Sequence, residues 1–367
     1  MKRKKSGAET RLLGGFIMSQ NQLRIEQYAT VLFNANLNPL GIPETARRAI
    51  AENISSIVKY PEAYHNKLLQ SVASYADVPM EHVITGNGSS DMIRLFTALV
   101  SPQKAMVLLP GPSEYQAVLK SYNCDIVHYQ LDEENDFNLD MSDFISKLDS
   151  SIDLIMIANP NNPTSRKIEP EDMEMLVEAC ESLGIFLVID EMYIEFMDDY
   201  KKYTAVPLTK DHENVAVLRS VSKFFAVPGL RFAYAIMNNP VYKQVIDITA
   251  TNTNIATLSA IAVTEMLSDK KYIEDSISMI HTERNLVYAA MATSRAIKLT
   301  QPDANFMLCK LLNPDVNSST VADHCNQRGV IIRKCDNIPG LSDRYIRFCF
   351  MKPKQNDLMV NTILEVV

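Results

Sequence analysis

Short apolar runs alternate with stretches in which apolar positions recur every three or four residues through the first two thirds of the chain. Ala105–Leu109, Asp153–Ala158, Ile185–Ile189 and Val215–Leu218 read as buried strands. Between the second and third of these, Met173, Leu176, Val177, Cys180 and Leu183 fall at helical spacing, and Gly184 follows as a C-cap. Strands alternating with helices predict a mostly parallel sheet covered on both faces, an α/β fold with a three-layer α/β/α large domain.

The pattern changes in the last hundred or so residues. A long helical stretch runs from Ile255 to Leu286, followed by strands at Ala304–Leu311, Val330–Arg333 and Tyr345–Phe350 with helices between and after them. That order predicts a smaller α+β C-terminal domain. Residues 1–20 are basic and weakly patterned, and read as a disordered tail or linker. Residues 21–45 read as an N-terminal arm, 46–250 as the large domain and 251–367 as the small one.

Composition narrows the partners. The net charge is −8 and the pI about 5.4, which excludes a general nucleic-acid or anionic-membrane surface but leaves room for a local basic pocket. The six cysteines form no CxxC pair and share no metal-ligand spacing with the six histidines, so reduced thiols and no metal centre are expected. No apolar stretch approaches the roughly 18 residues that span a bilayer. A cytoplasmic enzyme with a small anionic ligand is the expectation. Glycine is scarce, at 11 of 367 residues, which draws notice to Gly86, Gly88 and Gly229, all inside candidate motifs.

The chemistry concentrates around Lys223, in Leu218-Arg219-Ser220-Val221-Ser222-Lys223-Phe224-Phe225-Ala226-Val227-Pro228-Gly229-Leu230-Arg231. A lone lysine is usually a solvated surface side chain. This one follows a buried strand and precedes an apolar run, with hydroxyl neighbours and an arginine eight residues on, which suits a pyridoxal phosphate Schiff base. Ser220, Ser222 and Arg231 would hold the phosphate.

Three further motifs fit the same cofactor. Asp190 ends an apolar strand, where a carboxylate can keep the pyridine nitrogen protonated; taken alone, its plainer alternative is a helix N-cap. Tyr193, three residues on, could reach the ring's phenolic oxygen. Asn159-Pro160-Asn161-Asn162-Pro163-Thr164 follows a strand, and its two prolines stiffen a loop from which Asn162 can present its amide. Thr85-Gly86-Asn87-Gly88-Ser89-Ser90 opens a helical stretch from Asp91 to Val100, and free N–H groups at a helix N-terminus bind phosphate. Arg333 and Arg347 lie within late apolar strands, where a guanidinium needs an anion: a core ion pair or a substrate acid group.

In this order the motifs resemble the fold-type I pyridoxal phosphate enzymes of aminotransferase class I/II over residues 30 to 367. The chain is most similar to the branch containing histidinol-phosphate aminotransferase and threonine-phosphate decarboxylase. The resemblance implies Lys223 as Schiff-base lysine and proton carrier, Asp190 on the pyridine nitrogen, and Asn162 with Tyr193 on the phenolic oxygen. It implies Asn87, Gly88, Ser89, Ser220 and Arg231 around the phosphate, Arg347 on a substrate carboxylate, and Arg333 and Asn36 near the substrate. It also implies a homodimer in which Tyr60 reaches the phosphate in the partner subunit. The chain departs from the branch at Pro112, where an aromatic usually stacks on the ring and Tyr115 is the nearest replacement, and at Ser165, Ala233 and Met351. The decarboxylase's early His-Gly-Gly motif is absent.

The expected activity is aminotransfer from a small phosphorylated or phosphonate-bearing amine or amino acid. O-phospho amino acid decarboxylation is the close alternative, because both reactions begin from the same substrate adduct and differ in the bond held perpendicular to the ring. A non-catalytic cofactor-binding module would predict loss of the lysine, which is present.

Overall fold

The computed structural model describes residues 30–62, 65–249 and 255–367. The tail 1–20, the first part of the arm and the boundary placed near residue 250 lie outside the described residues. After the two-residue strand β1 (Val31–Leu32) the chain builds one sheet from β2 (Val83–Gly86), β3 (Lys104–Leu109), β4 (Asp125–Gln130), β5 (Leu154–Ala158), β6 (Phe186–Asp190), β7 (Val215–Ser220) and β8 (Ala233–Ile236). The order across it is β2-β8-β7-β6-β5-β3-β4. Only β8 runs against its neighbours, β2 and β7.

The two-residue period of a strand sorts these segments onto two cores. Met106, Leu108, Ile155, Ile157, Leu187, Ile189, Val215 and Val217 bury on one face. Ala105, Val107, Leu154, Met156, Phe186, Val188, Ala216 and Leu218 bury on the other, against the helices Ser89–Val100 and Ser113–Ser121. Both faces are therefore covered, as continuous apolar strands require. The helix Pro170–Leu183 begins with proline in its first turn and stops at Gly184, whose φ of 73° is left-handed.

The C-terminal part adds β9 (Ile297–Leu299), β10 (Phe306–Leu311), β11 (Val330–Ile331), β12 (Arg333–Lys334) and β13 (Tyr345–Cys349). An antiparallel sheet of order β12-β13-β10-β9 forms there, and β11 pairs in parallel with β1 from the arm. Two expectations change. The strand read as Val330–Arg333 is two short pieces that pair with different partners on either side of Ile332. The helical stretch read as continuous from Ile255 to Leu286 is broken into Thr257–Met266 and Lys270–Met291, because the Asp269 side chain accepts the Tyr272 N–H and caps a new start.

Between these two sheets runs the segment Phe33–Asn38. The Phe33 carbonyl accepts from Cys349 N, and the Asn36 carbonyl from Asn305 Nδ2. Asn38 donates its backbone N–H to the Lys223 carbonyl at 3.1 Å and its side-chain amide to the Phe224 carbonyl at 2.8 Å. The arm thus ties the small sheet to the lysine loop.

Candidate active site

A cavity of about 270 Å³ opens at the carboxyl ends of the parallel strands, where the chain order reverses between β3 and β5. Ligands of open α/β sheets bind at such a switch point. Five strand ends contribute: Ser89 and Ser90 after β2, Pro112 and Tyr115 after β3, Asn162 after β5, Asp190 and Tyr193 at β6, Ser222 and Lys223 after β7, with Arg231 opposite.

Lys223 sits in the short helix Val221–Phe224, which starts where the Ser220 hydroxyl accepts the Ser222 N–H. Phe224 and Phe225 anchor it, both fully buried with ring centroids 5.2 Å apart, each contributing roughly 2–3 kcal/mol of burial. The Lys223 amine points toward the arm and donates to the Ala35 carbonyl at 3.0 Å.

Asp190 shares its strand face with Phe186 and Val188, which turns it toward the helix Ser113–Ser121. Its Oδ1 accepts from Met192 N at 2.9 Å and its Oδ2 from the Tyr115 hydroxyl at 2.8 Å. Burial pushes the carboxyl up to about 6, while these two hydrogen bonds pull it back. The next residue, Glu191, faces the other way and forms a buried ion pair with Arg219 at 2.9 Å, closed by Thr204.

At the opposite end, Gly88 has a φ of 100°, and a Cβ placed there would collide with the guanidinium of Arg231. Glycine at this position lets Arg231 approach the N-terminus of the helix Ser89–Val100. A cation beside free helix N–H groups is an anion cradle. On the arm side Arg347 is 8% exposed and donates to Asn162 Oδ1 at 2.5 Å and to the Asn34 carbonyl at 2.9 Å. Its Nε and the Asn36 Oδ1 are buried without a partner among the described residues. Arg333 stands directly opposite Arg347 across β12 and β13. Like charges in that register are unfavourable until an anion joins them.

Pyridoxal phosphate fits this arrangement. The anion cradle suits its phosphate, the buried carboxylate its ring nitrogen, and the lysine its aldehyde. The structure brings Lys223, Asp190, Tyr193, Asn162, Ser89, Ser222 and Arg231 to the cavity wall. Asn36 lies just behind it, with its amide 3.4 Å from the Tyr193 hydroxyl. Asn87 is exposed and its N–H is held by Asp91 Oδ2 at 3.0 Å, while Ser90 reaches the wall. The Ser220 hydroxyl is occupied by Ser222 and the Phe232 carbonyl. Arg333 bonds Asn337, and Tyr60 is 91% exposed and apart from the cavity.

The pairing of Tyr115 with Asp190 was not legible, since 75 residues separate them and only the fold joins them. The Glu191–Arg219 pair left a signal: each stands next to a candidate site residue at a strand end, where alternation sends neighbours to opposite faces.

Comparison with known proteins identifies the family and the fold. The family model described as aminotransferase class I and II matches residues 29–363. Threonine-phosphate decarboxylase of Salmonella typhimurium is 28% identical, the match covering 94% of this chain and 95% of that protein. The crystal structure of histidinol-phosphate aminotransferase from Clostridium acetobutylicum superposes with a TM-score of 0.85 at 30% identity, over 92% of this chain and 99% of that one. Histidinol-phosphate aminotransferase from Sinorhizobium meliloti, solved with pyridoxal 5'-phosphate, gives a TM-score of 0.81 at 19% identity over 98% of both chains.

Proposed function

The chain belongs to the aminotransferase class I and II family, and from that premise we propose that it transfers the amino group of a small phosphorylated or phosphonate-bearing amine or amino acid. It is a pyridoxal phosphate enzyme. When bound, the cofactor supplies an electron sink for the bond broken at the substrate's α-carbon. Lys223 would hold the cofactor and carry the α-proton, Asp190 would keep the ring nitrogen protonated, and Asn162 with Tyr193 would bond the phenolic oxygen. Gly88, Ser89, Ser90, Ser222 and Arg231 would surround the phosphate.

The observation that carries aminotransfer over its alternative is the placement of Arg347. Its guanidinium is bonded to Asn162, so an acid group gripped there lies along the Asn162 edge of the cavity. With an α-carboxylate held there, its bond to the α-carbon is kept from facing Lys223, and of the bonds that remain only loss of the α-hydrogen leads to amino transfer. Decarboxylation is the second reading, supported by the likeness to threonine-phosphate decarboxylase. It needs the carboxylate free of Arg347 and a phosphate in its place.

We place the enzyme in the cytoplasm as a homodimer. Ile54, Ile57, Val58 and Tyr60 form an exposed apolar segment, with Val58 82% exposed, and a second copy would cover it. Tyr60 would then reach the partner's phosphate site. Among the described residues no helix is long and apolar enough to cross a membrane.

The test is direct. Protein reconstituted with cofactor should show a visible absorption band that Lys223→Ala removes, together with all turnover. Phosphorylated amino acids and amines are then supplied with a keto acid while carbon dioxide and the new amino acid are both measured. Carbon dioxide release without a keto-acid requirement would replace aminotransfer by decarboxylation.

A further inference from the structure

Tyr115 is 3% exposed and enters the site from the start of the helix Ser113–Ser121. Val118 and Leu119 bury beside it in the same core, so the ring has a fixed direction and its hydroxyl meets Asp190 Oδ2 at 2.8 Å. The family places a ring-stacking aromatic nearby, but here that position is Pro112, and the hydroxyl of Tyr115 is committed to the carboxylate. Burial and the neighbouring Asp190 charge hold the Tyr115 phenol well above its ordinary range. It therefore remains a donor at any working pH.

Asp190 needs such a donor. Glu114, on the same helix as Tyr115, and Glu191, on the far side of the strand end, both act against its negative charge, as does burial. Tyr193 from the turn after β6, and Lys223 and Arg231 from beyond β7, are the other titratable groups around the cavity. The Met192 N–H holds only the other oxygen.

We propose that Tyr115 is a positioning residue whose hydroxyl orients the Asp190 carboxylate and shares its negative charge, so that Asp190 can pair with the protonated ring nitrogen of pyridoxal phosphate. This rests on the cofactor assignment. The carboxylate has lone pairs for all three donors: Tyr115, the Met192 N–H and the ring nitrogen.

The experiment is a cofactor-binding titration of the apoenzyme across pH 5.5 to 8.5 for wild type, Tyr115→Phe, Asp190→Asn and the double variant. A parallel series uses a deaza analogue in which the ring nitrogen is replaced by CH. Loss of a hydrogen bond to a charged group should weaken pyridoxal phosphate binding by about tenfold in Tyr115→Phe, and the pH below which affinity falls should move up. In the Asp190→Asn background, and with the deaza analogue, the tyrosine substitution should have no effect. Unchanged binding and pH profile in Tyr115→Phe would overturn the proposal. Equal weakening with the deaza analogue would also overturn it, by making Tyr115 a wall of the cavity only. A wild type that binds the deaza analogue as well as the cofactor at every pH would leave the cofactor assignment standing and the role of Tyr115 refuted. A wild type that binds neither would remove the cofactor assignment itself.

Discussion

Two buried carboxylates close together in sequence have different partners. Asp190 accepts two hydrogen bonds, whereas Glu195, 3% exposed, has an Oε2 with no partner among the described residues. Burial pushes Glu195 from its ordinary 4.5 up to about 7, against the opposing pull of Arg219. The folded protein then keeps a proton that the unfolded chain has lost between those values, so stability falls as pH rises from about 4.5 to about 7. The loss attributable to this group is about 3 kcal/mol. Asp190, raised to about 6, contributes with the same sign over a lower window. Urea unfolding at pH 5 and pH 8 should show a smaller pH-dependent loss for Glu195→Gln than for wild type. Equal losses would mean that Glu195 titrates as an exposed carboxylate does.

At the scale of elements, the Glu191–Arg219 pair joins the ends of β6 and β7, directly behind Asp190 and the lysine loop. Both side chains are almost fully buried, so removing one leaves the other's charge without compensation. Arg219→Ala should cost about 3–5 kcal/mol in denaturant unfolding, and the paired change Arg219→Met with Glu191→Gln should recover most of it. The same strands show what could be read in advance. β3, β5, β6 and β7 were visible as apolar runs because both of their faces are buried. β4 was not, since its exposed and half-buried residues give it no clear period. Val330–Arg333 read as one strand because apolar spacing does not say which partner a residue pairs with. Lys223, Asp190 and Asn162 were legible because each follows or ends a visible strand. Asn87 lies off the cavity wall, which helix geometry sets at Ser89 and Ser90 and which a glycine-rich string does not specify.

Across the whole molecule, all six cysteines are buried and free. Burial pushes the Cys180 and Cys325 thiols up to about 12 and those of Cys335 and Cys349 to about 11. A thiol that does not ionise does not alkylate. The native protein should therefore resist a thiol reagent at pH 8, while unfolding in urea exposes all six to stoichiometric labelling. Rapid labelling of the native state would show that the two cores open far more often than their packing implies.

The alternation that sends Asp190 to one face of the sheet and Glu191 to the other also limits how this protein can change over generations. Substitutions on either face can accumulate one at a time, each judged by its own neighbours. A single-residue insertion or deletion inside β6 exchanges the two faces at once: it would turn Glu191 toward the cavity and strand Asp190 against Arg219. Length variation among descendants is thereby pushed out of these strands and into the loops, so the ancestry of this site should be easier to trace by spacing than by identity.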